Sequence, residues 1–400
     1  MENHAPAYQF DPTGRKLHED NATLQSMGPA ARVELPGGIV AWSITRYEMV
    51  KQLAEDDRVS RDARQHWPQV GNIPADWPLA PFLISPTVLN AYGSDHRKLR
   101  SIMNAAFTSE RLDALATGLR RRMGAYLDDL EAAGSEQAVD IRGQYAFPVA
   151  AETLCELFGF TRDKWDLGKL AITNLLQPSE DPEEAAAGMG AASGILADLL
   201  AEKAKDPGDD MATTLVRSAD LTDEERVLAL IVTIAGGVPS VTDLISNAVF
   251  NLLHHPRQLH SVAEGETPWS EVIEETLRAD APVQHMPLRY ALEDLDLGEG
   301  VVIRRGEPIL MGFGAAGRDE QLHGEDADVF DIHRRNKEHV ALGYGVHYCI
   351  GAPLGRLEAE IALPALFERF PKLSLARRSE DLDPLPTFIF NGKLQLPVNL

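Results

Sequence analysis

One cysteine of this 400-residue chain lies in a run of residues suited to metal or thiolate chemistry. The run is Gly343-Tyr-Gly345-Val-His347-Tyr-Cys349-Ile-Gly351. Glycine is favoured where the backbone turns tightly or closely approaches a ligand. A helix is predicted to begin at Gly351, and a thiolate just before a helix is stabilised by free N–H groups and the helix dipole. Cys349 could therefore bind a metal or act as a nucleophile, or it could be a buried structural cysteine.

Zinc is one alternative, because several histidines surround this region of the sequence. The possible ligands are His323, His333, His339, His347 and Cys349. No Cys-x-x-Cys or His-x-x-x-His spacing supports such a site. A nucleophilic cysteine enzyme is a second alternative, although the sequence does not identify a partner histidine.

Composition excludes several classes of function. The formal net charge of −23 argues against nucleic acid and anionic membranes as partners, because both need a basic face. No run of about 18 consecutive apolar residues is present, and the N-terminus lacks the features of a secretory signal. Two cysteines cannot form a disulfide framework. We therefore expect a cytoplasmic enzyme that binds neither nucleic acid nor membrane.

Hydrophobic periodicity predicts a mainly α-helical protein with a minor β component. Strand patterns occur at residues 32–44, at about 300–310 and in a hairpin over residues 388–396, which contains Asn391-Gly392. Helical spacing covers residues 110–133, 144–158, 183–204, 222–253, 268–281 and 351–370. The helix after Thr222 begins with a capping box and is apolar on nearly every side, so we expect it to cross the core.

The cysteine run resembles the haem-binding signature of the cytochrome P450 superfamily. In that family the residue matching Cys349 is the axial thiolate of haem b, which promotes O–O cleavage. Leu342 departs from the phenylalanine that most members have, and Gly317 from the usual asparagine. The resemblance spans almost the whole chain and implies one P450 domain over residues 1–400. The implied fold is a triangular helical prism with haem between the long central helix and the helix after the cysteine loop.

Three further matches occur in the family's order. Glu275 and Arg278, three residues apart on one helix face, match a pair that joins Arg334 in a buried structural network. The other two matches concern residues that bind haem propionates in the family. They are His96 with Arg100 on one helix, and Arg289 on a strand; His347 matches the last propionate ligand.

The long helix departs from the family pattern Ala-Gly-x-(Asp/Glu)-Thr-(Thr/Ser). Here Ala235-Gly236-Gly237-Val238-Pro239-Ser240 has Val238 at the acid position and Pro239 at the alcohol position. In the family this pair helps deliver protons during dioxygen activation, a role that neither side chain can perform. Pro239 deprives the Ala235 carbonyl of its helical donor and predicts a kink. That carbonyl with a water, or the Ser240 or Thr242 hydroxyl, could replace the pair, or Pro239 could merely shape the pocket.

The resemblance implies a monooxygenase that oxidises a small, largely apolar or aromatic natural product in bacterial secondary metabolism. Oxidative C–C, C–N or C–O coupling without oxygen insertion is an alternative, because some members without the alcohol behave this way. A haem-binding recruitment protein without catalysis is a third possibility. By analogy with the family, the expected pocket residues are Gln65, Trp67, Phe82, Ile84, Thr233, Gly237, Val283, Gln284, Met286, Ile389 and Phe390.

The reaction needs O2 and two electrons, yet the chain has no flavin motif and too few cysteines for an iron–sulfur cluster. The resemblance therefore implies an external ferredoxin and ferredoxin reductase. A basic patch for this partner is expected from Arg97, Lys98, Arg334, Arg335 and Lys337. We expect the protein to be a monomer.

Overall fold

The computed structural model describes residues 6–74, 77, 79–134, 137–176 and 181–400. The helices are α1 Leu17–Ser26, α2 Tyr47–Glu55, α3 Ala63–His66, α4 Ala80–Ile84, α5 Gly93–Asn104, α6 Ser109–Gly134, α7 Phe147–Phe158, α8 Trp165–Leu176, α9 Pro182–Lys205, α10 Met211–Arg217, α11 Asp223–His254, α12 Pro256–Ala263, α13 Trp269–Ala279, α14 Phe313–Ala316, α15 Glu320–His323 and α16 Ala352–Arg369. The strands are β1 Tyr8–Gln9, β2 Ala31–Leu35, β3 Ile39–Ile44, β4 Val59–Ser60, β5 Val139–Asp140, β6 His285–Ala291, β7 Leu295–Asp296, β8 Val302–Ile303, β9 Pro308–Gly312, β10 Ser374–Leu375 and β11 Pro397–Asn399. The mainly helical fold predicted from the sequence is confirmed.

The chain divides into two compact units. Unit 1 comprises Met1–Ser85, Glu271–Cys349 and Asp383–Leu394, and unit 2 comprises Pro86–Ser270, Ile350–Leu382 and Gln395–Leu400. Unit 1 holds the six-stranded sheet β1-β2-β3-β9-β6-β4, and unit 2 holds most of the long helices and the small sheet β10-β11-β5.

The sheet of unit 1 is covered on both faces. All five residues of β9 are buried, which is typical of a strand with apolar layers on either side. Ile309 and Met311 pack in one apolar cluster with helix α2, whereas Leu310 packs in another with Trp67 and Trp77. Because successive side chains of a strand point to opposite faces of the sheet, β9 contributes residues to both apolar clusters.

Helix α11 forms the centre of unit 2, where it packs against α7, α9 and α16. Thr222 and Glu225 form the predicted capping box, with N–H···O distances of 3.2 and 2.8 Å. Every residue from Val241 to Val249 is buried. Among the described residues, α11 alone is long and apolar enough to cross a membrane, a test that core helices of soluble proteins also pass.

The terminal hairpin predicted from Asn391-Gly392 is wrong. Phe390 pairs with Val283, and Lys393 pairs with Pro384, so the two expected strands do not pair with each other. The Leu385 N–H donates to the Gly392 carbonyl at 3.0 Å. The segment before the turn therefore pairs with residues 282–283, and the segment after it pairs with residues 383–385. The first hairpin is confirmed, with β2 and β3 joined by a turn at Pro36–Gly38.

Candidate functional site

The cysteine loop belongs to unit 1 and needs two of its three glycines for their conformation. Gly343 and Gly345 have φ of 74° and 66°, where a side chain is strained. A Cβ on Gly345 would also lie 2.8 Å from the Ala54 carbonyl oxygen. Gly351 has φ of −84° and caps α16. The partly exposed Cys349 therefore ends a tight loop, three residues before the first residue of α16.

The Glu275–Arg278 pair is a fully buried ion pair on α13. Arg278 Nη2 and Nε donate to the two carboxylate oxygens of Glu275 at 2.7 and 2.8 Å, and neither side chain has exposed surface. The remaining Arg278 donors reach three backbone carbonyls, those of Gly317, Ala327 and Val329, at 2.6–2.8 Å. The pair therefore joins α13 to the segment that precedes the cysteine loop.

Arg334 lies at the edge of this network. Its Nε is 3.9 Å from Glu275 Oε1, beyond hydrogen-bond distance. Its terminal nitrogens instead bind Asp326 and the carbonyl of His323. Lys337 is bound in the same way, to Glu271 at 2.6 Å. Arg334 and Lys337 thus have acidic partners within unit 1, whereas Arg335 is exposed, which reduces the basic patch expected from the sequence.

Arg289 on β6 fits a role in binding a carboxylate of haem. Its side chain is 2% exposed, and its Nε has no hydrogen-bond partner within the described ranges. Burial and, to a smaller extent, the nearby charge of Arg61 together lower the pKa of its guanidinium to about 9. Among the described residues no acidic group forms an ion pair with Arg289. A buried cation of this kind is suited to an anion supplied by a ligand.

His96 and Arg100 belong to unit 2. Both lie on α5, four residues apart and therefore on one face of the helix. His96 is buried, and Arg100 Nε donates to Asn104 at 3.2 Å.

Helix α11 continues through Pro239 as one element. Val238 has no exposed surface, so its side chain belongs to the packing of unit 2. Gly237 faces α7, since a Cβ there would lie 3.6 Å from Leu154. The Ser240 hydroxyl donates to the carbonyl of Gly236 at 2.5 Å, a bond to the preceding turn that often bends helices. The Ser240 proton is therefore already engaged with the backbone.

Sequence reasoning missed a buried acid one turn beyond Pro239. Asp243 has no exposed surface, and its Oδ1 accepts a hydrogen bond from Arg142 Nε at 2.9 Å. Its Oδ2 has no partner among the described residues. Burial raises the pKa of this carboxyl to about 6, although Arg142 acts in the opposite direction. The available signal was that Asp243 is the only charged residue between Arg226 and His254 in the sequence.

The expected pocket residues differ widely in environment. Trp67 is buried and stacks on Tyr290 at 5.5 Å between ring centroids, and Gln284 donates to the Ala281 carbonyl and accepts from Asn21. Gln65 Nε2 donates to Asp62, and Thr233 Oγ1 donates to the Ala229 carbonyl. Other members are exposed or half-buried: Phe82, Ile84, Val283, Met286, Ile389 and Phe390.

The zinc alternative has no cluster of ligands among the described residues, which contain no group of three His, Cys, Asp or Glu side chains placed to hold a metal ion. His323 Nε2 bonds to the Glu338 carbonyl at 3.0 Å, and burial lowers the pKa of its ring to about 4. His339 Nε2 lies 3.1 Å from the Glu274 carboxylate.

Comparison with known proteins places this fold and cysteine loop in a family. The cytochrome P450 family model matches residues 269–397. The 2-hydroxy-5-methyl-1-naphthoate 7-hydroxylase of Streptomyces carzinostaticus is 35% identical over 98% of this chain and 97% of that protein. The vitamin D(3) 25-hydroxylase of Pseudonocardia autotrophica is 32% identical, over 96% of this chain and 93% of that protein. The structure of CYP154A1 from Streptomyces coelicolor A3(2) has a TM-score of 0.91 at 40% identity, covering 98% of this chain and 100% of that one.

These matches define an oxygenase that uses haem b with a thiolate-ligated iron. The chain belongs to the cytochrome P450 superfamily, and its type is the actinobacterial one. The resemblance inferred from the sequence is thereby confirmed.

Proposed function

We propose that this P450 hydroxylates a small, largely apolar or aromatic natural product in bacterial secondary metabolism, with Cys349 as the axial ligand of the haem iron. The observation that carries the proposal is the cysteine loop, in which two left-handed glycines lead to a partly exposed thiol just before α16. Haem supplies, when bound, the activation of dioxygen and the insertion of one oxygen atom. Relatives align over almost the whole chain, which supports one P450 domain over residues 1–400.

The chain itself binds the haem carboxylates and provides the surface that contacts the substrate. We assign propionate binding to His96, Arg100, Arg289 and His347. Within the described residues, the buried Nε of Arg289 has no hydrogen-bond partner. Apolar surface for the substrate comes from Phe82, Ile84, Val283, Met286, Ile389 and Phe390. The similarity to the 2-hydroxy-5-methyl-1-naphthoate 7-hydroxylase supports a small aromatic substrate.

Proton delivery must differ from the usual acid–alcohol pair. The Ala235 carbonyl has no N–H donor from Pro239 and is free to accept from a water or a substrate hydroxyl. The Ser240 hydroxyl is a poorer proton source, because it donates to Gly236.

Oxidative coupling remains the second candidate, since hydrogen abstraction followed by radical coupling needs no oxygen insertion. The specific observation that favours it is the pair Val238 and Pro239.

Electrons would come from an external ferredoxin and its reductase, because the chain has only two cysteines and no flavin motif. Arg97 and Lys98 are exposed on α5 and are proposed to face this partner. We propose a monomeric cytoplasmic enzyme. A haem-binding recruitment protein without catalysis is the opposing possibility, and product analysis with surrogate redox partners would reveal it by an absence of turnover.

Reduced, carbon monoxide-treated protein tests the iron ligand. The wild type and Cys155→Ser should both show the strongly red-shifted Soret band of thiolate-ligated haem, whereas Cys349→Ser should lose it. Cys155 is a matched control, because it is the only other cysteine of the sequence and its burial raises the pKa of its thiol to about 12. Retention of the band in Cys349→Ser would contradict the assignment.

Labelled dioxygen distinguishes the two reactions. Hydroxylation incorporates one labelled oxygen atom into the product, and coupling incorporates none.

The double variant Val238→Glu/Pro239→Thr restores the family's acid and alcohol, so the fraction of electrons lost to peroxide should change. If the fraction of electrons lost to peroxide stays unchanged, this segment has no special role in proton delivery.

A further inference from the structure

Two buried guanidinium groups in unit 1 have no carboxylate partner among the residues that the structure describes. Arg61, which directly follows β4, is 3% exposed, and Arg289 on β6 is 2% exposed. Within the described residues neither side chain forms an ion pair. The buried Arg278 and Arg122 differ, because they are paired with Glu275 and Glu156. Leaving a buried charge without a counter-ion is energetically unfavourable, so we expect a ligand to supply an anion to these two groups.

The hydrogen bonds of the two arginines are incomplete. Arg61 Nη2 donates to the Pro287 carbonyl at 3.1 Å, and Arg289 Nη1 donates to the Ala54 carbonyl at 3.4 Å. In the described part of the chain, the Nε of each has no hydrogen-bond partner. Asp62, beside Arg61 in the sequence, accepts from Gln65 and pairs with Arg64 instead.

The two groups are also close together. Ser60 of β4 pairs with Tyr290 of the antiparallel strand β6, which places Arg61 opposite Arg289. Burial lowers the pKa of Arg61 to about 10, and the charge of Arg61 contributes to the lowered pKa of Arg289. Both remain cations at neutral pH. Like charges held in one buried region repel each other unless an anion lies near both.

We propose that Arg61, together with Arg289, forms a carboxylate-binding site in unit 1. A guanidinium offers paired N–H donors that match the two oxygens of a carboxylate. The carboxylate has two possible sources, a haem propionate or an acidic substrate. The propionate source rests on the proposed function, whereas an aromatic acid would make Arg61 a determinant of substrate specificity.

Three variants of the full-length protein test the site: Arg61→Gln removes the charge, Arg61→Lys keeps it, and Arg58→Gln is the control. Arg58 is half-exposed and is held by Asp56 and Glu293. Two measurements separate the sources. Haem transfer to apomyoglobin reports on the propionate, and calorimetric titration with 1-naphthoate and the neutral 1-naphthamide reports on the substrate.

If a propionate is the ligand, Arg61→Gln loses haem at least about tenfold faster than Arg58→Gln, as expected for loss of a hydrogen bond to a charged group. If the substrate is the ligand, naphthoate affinity falls by about the same factor while naphthamide affinity does not change. Arg61→Lys retains part of the effect in either case. If Arg61→Gln does not fold, Arg61→Lys takes its place. Wild type loaded with haem dimethyl ester then shows how fast haem is lost when the propionates carry no charge.

The proposal is overturned if haem loss and naphthoate affinity both stay within twofold of the control. It is also overturned if both naphthalene ligands weaken equally while haem loss is unchanged, because Arg61 would then act only through packing. A wild-type protein without the red-shifted band would instead contradict the haem assignment. The calorimetric comparison does not depend on that band.

Discussion

Replacing Glu275 by glutamine should leave Arg278 as a buried cation without its counter-ion. Glu275 accepts two hydrogen bonds from Arg278, at 2.7 and 2.8 Å, and a third from the Asp331 N–H at 2.8 Å. Glutamine has nearly the same shape but only one oxygen. Its NH2 group would face groups that also donate, so at least one buried donor loses its acceptor.

The expected cost is large because neither side chain of the pair has exposed surface. Removing one partner of a buried ion pair typically costs about 3–5 kcal/mol. At about 2.1 cal/mol/K of unfolding entropy per residue, this corresponds to a fall in Tm of roughly 4–6 °C if the 400 residues unfold together. Unfolding of unit 1 alone would give a larger shift, because fewer residues share the entropy.

Thermal unfolding of the haem-loaded protein by circular dichroism measures the effect. Arg378→Gln is the matched control, since Arg378 is 72% exposed and pairs with two exposed acids, so its loss should cost less than about 1 kcal/mol. Equal Tm values for the two variants would refute the reasoning that Glu275 compensates a buried charge.

Three further predictions concern single residues. The folded pKa of Asp243, about 6, lies above the unfolded value of about 3.9, so its contribution to stability is present at low pH and lost as pH rises through 6. Lowering the pH from 7.5 to 5 should therefore stabilise wild type by about 1–2 kcal/mol relative to Asp243→Asn in urea unfolding, and parallel pH profiles would contradict this. Gly345→Ala should cost about 1–3 kcal/mol in the same assay, because φ is 66° and the new Cβ meets the Ala54 carbonyl, whereas Gly71→Ala, with open space, should not. Arg97→Glu should slow reduction by ferredoxin in stopped-flow measurements and leave substrate affinity unchanged, and an unaltered rate would exclude Arg97 from the docking surface.

Local patterns gave reliable predictions where neighbouring residues supply the structure. The capping box at Thr222 and the hairpin at Pro36–Gly38 need only contacts within a few residues, and both are present. The Asn391-Gly392 turn failed because Phe390 pairs with Val283, more than a hundred residues away in the chain. Backbone groups must be paired, but the sequence does not say which distant segment pairs with them.

The same division applies to the functional residues. Residue type and spacing alone indicated the glycine-flanked Cys349 and the helical pair Glu275 and Arg278, because a tight loop and an i, i+3 contact are local properties. Only the tertiary structure gave Arg334 its partners at Asp326, and left Arg61 buried with no acidic partner among the residues described. Those outcomes depend on which side chains meet in a low-dielectric interior, and burial arises from contacts between segments that are far apart in the sequence.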